Sequence, residues 1–216
     1  MALPEEDSLL LINKPAGPTS HDIVDLVRKK TGIKRVGHAG TLDPFAEGLL
    51  IVLVGRDATK KQAEFLGMDK TYEAVLHLGA TSTTEDPTGE ISQRIIPDVP
   101  AFEEIKHAIT SFTGTYDQMP SAFSAKKING KKAYELARKG IRPDLKPKTI
   151  TVHSIDILAY EWPLLTIRCS VSSGTYIRAL ARDIGEKLGC GAYLEKLKRT
   201  SIGPYNLCDS HTIEGC

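Results

Sequence analysis

An aspartate set among glycine and proline residues is the strongest candidate for chemistry in this sequence. Asp43 lies in a turn-rich stretch with Gly40, Pro44 and Gly48, directly before the apolar run 49–54. A carboxylate held at the mouth of a buried strand is placed for chemistry, because a solvated acid needs no such framing. Aspartate before proline is also a common turn former, whose side chain caps backbone N–H groups. The residues alone leave a catalytic carboxylate and a turn former as alternatives.

Metal and nucleotide cofactors lack their usual sequence signatures. The six histidines and four cysteines are scattered, with no Cys-x-x-Cys pair and no spacing typical of zinc ligands. Neither a Gly-x-Gly-x-x-Gly nor a Walker sequence is present. We therefore expect chemistry without a metal or a cofactor, and cysteines that remain reduced thiols.

Composition is typical of a globular protein. The 216 residues are 41% hydrophobic and 25% charged, which suits a sizeable core. No stretch approaches the roughly 18 consecutive apolar residues of a membrane helix, and the N-terminus lacks the order of a secretory signal. We expect a cytoplasmic protein. The net charge is only +1, but basic residues concentrate at 28–35 and 126–148, a pattern that suits phosphate binding and equally a solvated face.

Hydrophobic periodicity predicts the elements that position Asp43. A loop at 37–48 carries Asp43 and leads into a buried strand at 49–54. The other predicted strands are 9–12, 71–78, 124–128, 149–159, 164–172 and 192–202, and the predicted helices begin at Thr19 or Ser20, at 57, at 102, at 131 and at Gly174. Their irregular alternation favours an α+β fold, with a mainly antiparallel mixed sheet and flanking helices. We expect one domain over residues 1–216, with a basic surface insertion around 115–147.

Several motifs, in order along the chain, resemble those of the TruB-type tRNA pseudouridine synthases. They are Asn13-Lys14-Pro15-x-Gly17, Gly37-His38 through Gly40-Thr41-Leu42-Asp43-Pro44, Ala46-x-Gly48-x-Leu50, Asp69-Lys70-Thr71-Tyr72, Tyr134-Glu135-Leu136-Ala137-Arg138-x-Gly140 and Ser173-Gly174-Thr175-Tyr176-Ile177-Arg178. Each motif is weak alone, but the ordered set covers nearly the whole chain. The resemblance implies the pseudouridine synthase fold. It also implies conversion of uridine to pseudouridine in the T-loop of tRNA, at the position usually numbered 55, without a cofactor.

In this resemblance Asp43 matches the essential aspartate of the family. The reaction breaks the bond from C1′ to N1, turns the uracil and reattaches it through C5. A carboxylate suits this task either as a nucleophile at C1′ or as a base that removes a C2′ proton, and both roles remain open. Burial opposes ionisation of a carboxylate unless a cation lies nearby. Arg178, in the matching Gly-Thr-Tyr-Ile-Arg motif, is the expected partner because a guanidinium binds a carboxylate through two hydrogen bonds.

The resemblance also implies roles for four further residues. Tyr72 and Tyr176 match tyrosines that stack on the flipped uracil, and Tyr72 is a candidate for removing the C5 proton. His38 matches a histidine that meets the RNA near the extruded nucleotide, so we assign it to RNA binding and not to proton transfer. Leu197 aligns with an apolar residue of the uracil pocket. Without the motifs, each would be interpreted as an ordinary core or loop residue.

The expected partner is tRNA, recognised through its T-loop and stem, with the basic segments 28–35 and 126–148 as candidate phosphate contacts. We expect a monomer with no protein partner and no membrane contact. Members of the family commonly continue into a C-terminal RNA-binding PUA domain, and none is apparent in this sequence, which ends at Cys216.

Two other functions compete with this interpretation. A non-catalytic tRNA-binding or tRNA-folding module could use the same fold, although the intact set of Asp43, Tyr72 and Arg178 argues against it. A glycoside hydrolase would need two carboxylates beside the scissile bond. Glu47 is the one acid near Asp43 with comparable framing, at a position where the family varies.

Overall fold

The computed structural model describes residues 7–123 and 145–212, and between them the backbone of Lys127–Ile128 and Lys131–Lys132. These two dipeptides pair as short antiparallel strands. The predicted basic helix therefore does not begin at residue 131, and its other residues lie outside the described part of the chain. The same holds for most of the basic segment 126–148.

The helices and strands follow the predicted order closely. The strands are β1 (Ser8–Lys14), β2 (Val36–Ala39), β3 (Glu47–Val54), β4 (Lys70–Leu78), β5 (Ala80–Ser82), β6 (Ile91–Gln93), β7 (Gly114–Gln118), β8 (Lys127–Ile128), β9 (Lys131–Lys132), β10 (Lys148–Glu161), β11 (Leu164–Val171), β12 (Ala192–Ile202), β13 (Tyr205–Asn206) and β14 (His211–Thr212). The helices are α1 (Ser20–Thr31), α2 (Arg56–Lys60), α3 (Gln62–Gly67), α4 (Phe102–Thr110) and α5 (Ile177–Lys187), with a 3₁₀ turn at Leu207–Asp209. The predicted α+β class is confirmed.

The chain divides into two compact units. One holds the residues up to Glu73 together with those from Lys196 onward, and the other runs from Ala74 to Glu195, so that the boundaries fall within β4 and β12. The single domain expected over residues 1–216 stays a prediction. Among the described residues, no helix has the length and apolar character needed to cross a membrane.

In the first unit, β3 is the central strand and is buried on both faces. The sheet order is β14-β1-β3-β12, with β1 and β2 antiparallel to β3, and with β14 parallel to β1 and β12 parallel to β3. Leu50 and Val52 pack with Ile23 and Val27 of α1, whereas Leu49 and its neighbours on the opposite face pack with Phe65 of α3. This alternation explains why the run 49–54 is apolar at every position.

Helix α1 begins where its capping signal predicts. The Thr19 hydroxyl accepts a hydrogen bond from the N–H of Asp22 at 3.0 Å, and the Asp22 carboxylate accepts one from the N–H of Thr19 at 2.7 Å. This reciprocal capping box satisfies two donors that the helix itself leaves free. Gly32 ends the helix in the left-handed conformation, at φ 73°.

Two predicted boundaries near Asp43 are wrong. The segment 37–48 is not all loop, because β2 pairs with residues 51–54 of β3 and buries Val36 and Ala39. The single helix predicted from residue 57 is instead split into α2 and α3. At the junction, the N–H of Lys61 bonds to the carbonyl of Ala58 three residues back, a tighter 3₁₀ pattern that interrupts the helix.

The second unit holds α5 and strands in the order β4-β11-β10-β7, in which β11 and β7 run antiparallel to β10. The apolar side chains of α5 are buried, with Leu180 and Ile184 fully inaccessible. Leu165 and Ile167 of β11 are equally inaccessible. The antiparallel strands β5 and β6 are joined by the segment 83–90. Thr84 and Asp86 of this segment contact the buried Arg178.

Gly48 offers a test of the packing under the Asp43 loop. It has φ 108°, and an added Cβ would overlap the backbone N and carbonyl O of Arg199 in the neighbouring strand. We expect Gly48→Ala to lower the free energy of unfolding by about 3 kcal/mol or more, because a positive φ and an overlap with backbone act together. Urea unfolding measures the loss. Gly67→Ala, at a helical site with open space, is the matched control and should change stability by less than about 1 kcal/mol.

Candidate active site

Asp43 lies in a tight turn between β2 and β3. Its carbonyl accepts a hydrogen bond from the N–H of Ala46 at 3.1 Å, which closes the turn around Pro44. Leu42 is buried, whereas Asp43 itself is half-buried. The turn is thus anchored through its apolar residue and leaves the Asp43 side chain partly accessible.

The first residue of α1 and the segment before it fix the backbone on both sides of Asp43. The buried Ser20 hydroxyl accepts a hydrogen bond from the N–H of Leu42 at 2.9 Å and donates to the Leu42 carbonyl at 3.1 Å. The N–H of Gly17 donates to the carbonyl of Pro44 at 2.7 Å. These bonds hold the residues that flank the aspartate on either side, which limits the positions its carboxylate can take.

Lys14, at the end of β1, is a fully buried cation beside this turn. Its ammonium donates to the carbonyls of Pro15 (2.8 Å), Pro18 (2.9 Å) and Pro44 (3.4 Å). The pKa of Lys14 is lowered to about 8. Burial is the main cause and the charge of Arg199 contributes, while the charge of Asp43 opposes the shift. Lys14 is therefore close enough to Asp43 and Arg199 for their charges to act on it.

Arg199 is a second buried cation, and sequence reasoning missed it. Its side chain is 1% exposed. Its Nε donates to the carbonyl of Leu49 at 2.8 Å, and its Nη2 donates to the carbonyl of Gly40 at 3.1 Å. Arg199 thus connects the start of the Asp43 loop to β3. The available signal was its position two residues after Leu197, which places a charge on a buried face of β12.

Tyr72 and Leu197 lie on the strand faces that the loop covers. Lys70 and Tyr72 share one face of β4, and Leu197 and Arg199 share one face of β12, because side chains two residues apart point the same way. A Cβ added to Gly40 would lie 3.6 Å from the guanidinium of Arg199 and 3.9 Å from Cε of Lys70. Both predicted residues are buried, at 7% exposure. The structure therefore places them with Asp43 in the first unit.

His38, in β2, is positioned by its backbone. Its carbonyl accepts a hydrogen bond from the Gln62 side chain at 2.7 Å. Burial is the main cause that lowers the pKa of His38, and the charges of His21 and Arg199 add to it. Its buried Nδ1 has no hydrogen-bond partner among the described residues. A neutral imidazole at pH 7 is compatible with the predicted role in binding RNA, which stays a prediction.

Tyr176 and Arg178 belong to the second unit, at the start of α5. Gln118, 1% exposed, uses both ends of its side-chain amide on the backbone of Tyr176. Its Oε1 accepts from the Tyr176 N–H at 2.9 Å, and its Nε2 donates to the Tyr176 carbonyl at 3.1 Å. These two hydrogen bonds fix the backbone direction at the point where the chain enters α5. Nothing in the sequence around Gln118 signals it.

Arg178 is buried, at 6% exposure, and is held by a set of oxygen atoms. Its guanidinium donates to the carbonyls of Thr84 and Phe123, each at 3.0 Å, and lies 3.4 Å from the carboxylate of Asp86. That carboxylate accepts in turn from the Thr84 hydroxyl and from the Thr88 N–H. Arg178 is therefore a buried residue of α5 and not a solvent-exposed one. Its pairing with Asp43 stays a prediction.

The described residues contain no group of three or more histidine, cysteine, aspartate or glutamate side chains that could hold a metal ion. Cys169 and Cys190 are buried free thiols, and Cys208 is an exposed one.

The buried ammonium of Lys14 predicts a pH dependence of stability. Because its folded pKa, about 8, lies below the usual value near 10.4, the unfolded chain binds more protons between these two values. The wild type should therefore gain stability relative to Lys14→Met as pH rises from 8 to about 10.5, by up to about 3 kcal/mol. Urea unfolding of both proteins across this range measures the difference. Two parallel stability curves would show that Lys14 is not desolvated.

The amide of Gln118 predicts a local effect on Tyr176. Gln118→Met keeps the side-chain volume but removes the donor and the acceptor, so we expect a loss of about 1–3 kcal/mol in the free energy of unfolding. Hydrogen exchange at the Tyr176 N–H should become faster. Gln93→Met, on an exposed strand, is the control and should change neither quantity. Unchanged exchange at Tyr176 in the Gln118 variant would contradict this role.

Two family profiles match adjoining parts of the sequence. Residues 28–177 match the TruB family pseudouridylate synthase N-terminal domain, and residues 178–215 match the tRNA pseudouridylate synthase B C-terminal domain. A tRNA pseudouridine synthase B from Protochlamydia amoebophila is 48% identical over 96% of this chain and 80% of its own length. One from Chlamydia abortus is 45% identical over 98% of this chain and 88% of its own.

Solved structures give the same grouping. A chain in a Cbf5-Nop10-Gar1 complex is similar at a TM-score of 0.74, with 31% identity, and the match covers 95% of this chain and 52% of that one. This protein thus spans about half the length of that solved chain. A pseudouridylate synthase at 18% identity and a TM-score of 0.50 shares the fold. Together with the profile matches over residues 28–215, these similarities establish that the chain belongs to the TruB family of pseudouridylate synthases.

Proposed function

We propose that this protein converts uridine to pseudouridine in tRNA, with Asp43 as the catalytic carboxylate. The observation that carries the proposal is the half-buried Asp43 side chain on a turn fixed by Ser20, Lys14 and Arg199. Relatives that match nearly the whole chain are named tRNA pseudouridine synthase B, which supports tRNA as the substrate. A fixed carboxylate suits a reaction in which charge develops at one carbon atom.

The proposed reaction rearranges atoms without adding any. The bond from C1′ to N1 breaks, the uracil turns, and a bond from C1′ to C5 forms. The hydrogen on C5 leaves as a proton, and N1 ends protonated, so that no oxidant or reductant takes part. Asp43 acts either by attacking C1′ or by removing the C2′ proton, and both routes use the same carboxylate position.

The other site residues receive their predicted roles in this proposal. The uracil must leave the RNA stack before its sugar can be reached, and Tyr72, Tyr176 and Leu197 provide the rings and the apolar side chain to receive it. His38 binds the RNA beside the extruded nucleotide. Arg178, which lies 3.4 Å from the carboxylate of Asp86, is the expected partner of the Asp43 carboxylate.

We propose that the target is the T-loop, at the position usually numbered 55, as the ordered motifs imply. Every residue assigned to the site comes from a single chain, so the proposal needs only a monomer and no protein partner. Because tRNA is the substrate, we place the activity in the cytoplasm. A non-catalytic tRNA-binding module is the second candidate, and it predicts binding to tRNA without any change in the RNA.

Substitution of Asp43 separates catalysis from binding. We expect Asp43→Asn to lower the rate of product formation by about 10³-fold or more, because the amide can neither attack carbon nor accept a proton as a carboxylate does. Its affinity for tRNA should stay within about threefold of the wild type. Release of tritium from tRNA labelled at C5 of uridine measures the rate, since the C5 hydrogen leaves in every turnover.

Glu47→Gln is the matched control. Glu47 is exposed and pairs with Lys198 at 3.5 Å, so the variant should release tritium at the wild-type rate. If Asp43→Asn keeps a rate near wild type, the assignment of the catalytic carboxylate is wrong. If the wild type binds tRNA and releases no tritium, the non-catalytic module is the better interpretation.

A further inference from the structure

A basic cavity lies beside β2, on the strand that leads to the Asp43 turn. Its volume is about 370 Å³, and its polar lining comes from Arg28, Lys34, Arg35, Thr59 and Gln62. These five residues belong to α1, to the segment between α1 and β2, and to α2 and α3. None of the residues that line it is acidic.

The positive charge of this cavity is largely uncompensated within the described residues. Arg28 pairs with the exposed Asp25 at 2.8 Å. Neither Lys34 nor Arg35, both exposed, has a carboxylate partner in the part of the chain that the structure describes. Three cations therefore share one nearby carboxylate, and such an excess attracts anions.

Hydrogen bonds hold the two arginines in place. Arg28 donates through Nη2 to the carbonyl of Val36 at 2.8 Å, and its buried Nε has no acceptor among the described residues. Arg35 donates through Nε to the Thr59 hydroxyl at 3.2 Å. Arg35, fixed through one nitrogen, presents its other N–H groups in a set direction, which suits the oxygen atoms of a phosphate.

We propose that this cavity binds one phosphate group of the tRNA backbone, away from the reacting nucleotide. The inference rests on the proposed function and adds a substrate contact to it. Gly37, which also lines the cavity, is six residues before Asp43, and six residues span at most about 20 Å. The backbone at this wall of the cavity therefore lies within about 20 Å of the Asp43 backbone, a distance that one RNA stem-loop spans.

The exposure of Lys34 and Arg35 favours a polymer backbone over a small free anion. Two solvent-exposed cations hold a free anion weakly because water screens them. A backbone already bound at the Asp43 turn gains from each additional phosphate contact, since its local concentration is high. Contacts of this kind set the register of the RNA without reading its bases.

Removal of the Arg35 charge tests the contact. We expect Arg35→Gln to weaken tRNA binding about three- to tenfold, and to reduce the slope of log K against log salt concentration by roughly 0.7 to 0.9, the value for one lost phosphate contact. The rate of tritium release at saturating tRNA should stay unchanged, while KM rises. Lys106→Gln removes one exposed charge on α4 and should leave affinity and slope as in the wild type.

Neutral linkages in the RNA identify the phosphate. Single methylphosphonates, placed one at a time along a T-arm hairpin, should weaken binding to the wild type at one position that no longer matters to Arg35→Gln. A position that weakens both proteins equally is not the partner of Arg35. If every position behaves in that way, the proposal is overturned.

Two further outcomes would also overturn it. One is equal affinity and salt slope for Arg35→Gln and the wild type. The other is binding of inorganic phosphate that Arg35→Gln abolishes while tRNA affinity stays unchanged, which would assign the cavity to a free anion. The binding measurements do not depend on turnover, so a wild type that binds tRNA without modifying it would contradict the proposed function and leave this inference standing.

Discussion

Two buried cations, Lys14 and Arg199, determine the shape of the loop that carries Asp43. Lys14 binds the carbonyls that follow β1 together with that of Pro44, and Arg199 binds the carbonyls of Gly40 and Leu49. A buried charge is costly unless it is hydrogen-bonded and has an opposite charge nearby. Carbonyl groups and the carboxylate of Asp43 meet this need, so the loop and the cations stabilise each other. Removal of either cation would leave the carbonyl groups that it binds without a hydrogen-bond partner, which is costly for a buried polar group.

The same arrangement prepares the site for its chemistry. Lys14 and Arg199 bind the loop backbone on either side of Asp43, so positive charge lies close to the carboxylate that attack or proton removal would use. The turn closed between Asp43 and Ala46, with Ser20 bound to Leu42, fixes the aspartate before any substrate arrives. Little reorganisation then remains for the reaction itself, which is how an active site lowers a barrier. The strand faces of Tyr72 and Leu197 lie under the same loop, where a flipped base would meet them.

The sequence predicted the elements better than their connections. Apolar periodicity located β3, α1 and α5, because burial on a face leaves a regular trace in the residue types. It placed β2 in a loop, since Gly37 and Gly40 resemble turn residues and strand pairing with β3 is not local. Motif resemblance indicated Asp43 and Arg178, whose roles in the reaction stay predictions. It could not find the contacts of Arg199, Gln118 or Asp86, because a long-range hydrogen bond to a backbone carbonyl leaves no pattern in neighbouring residues. The burial of Arg178 among oxygen atoms likewise depends on segments far away in the chain.

The proposed conversion of a T-loop uridine is tested most directly by mapping the modified nucleotide in tRNA. Unmodified tRNA, and an isolated T-arm hairpin made from it, would be incubated with the wild-type protein without added cofactor, and every uridine would then be examined for pseudouridine. We expect stoichiometric conversion at the single T-loop uridine usually numbered 55, and at no other position. Bound RNA that contains no pseudouridine, or conversion spread over several uridines outside the T-loop, would contradict it.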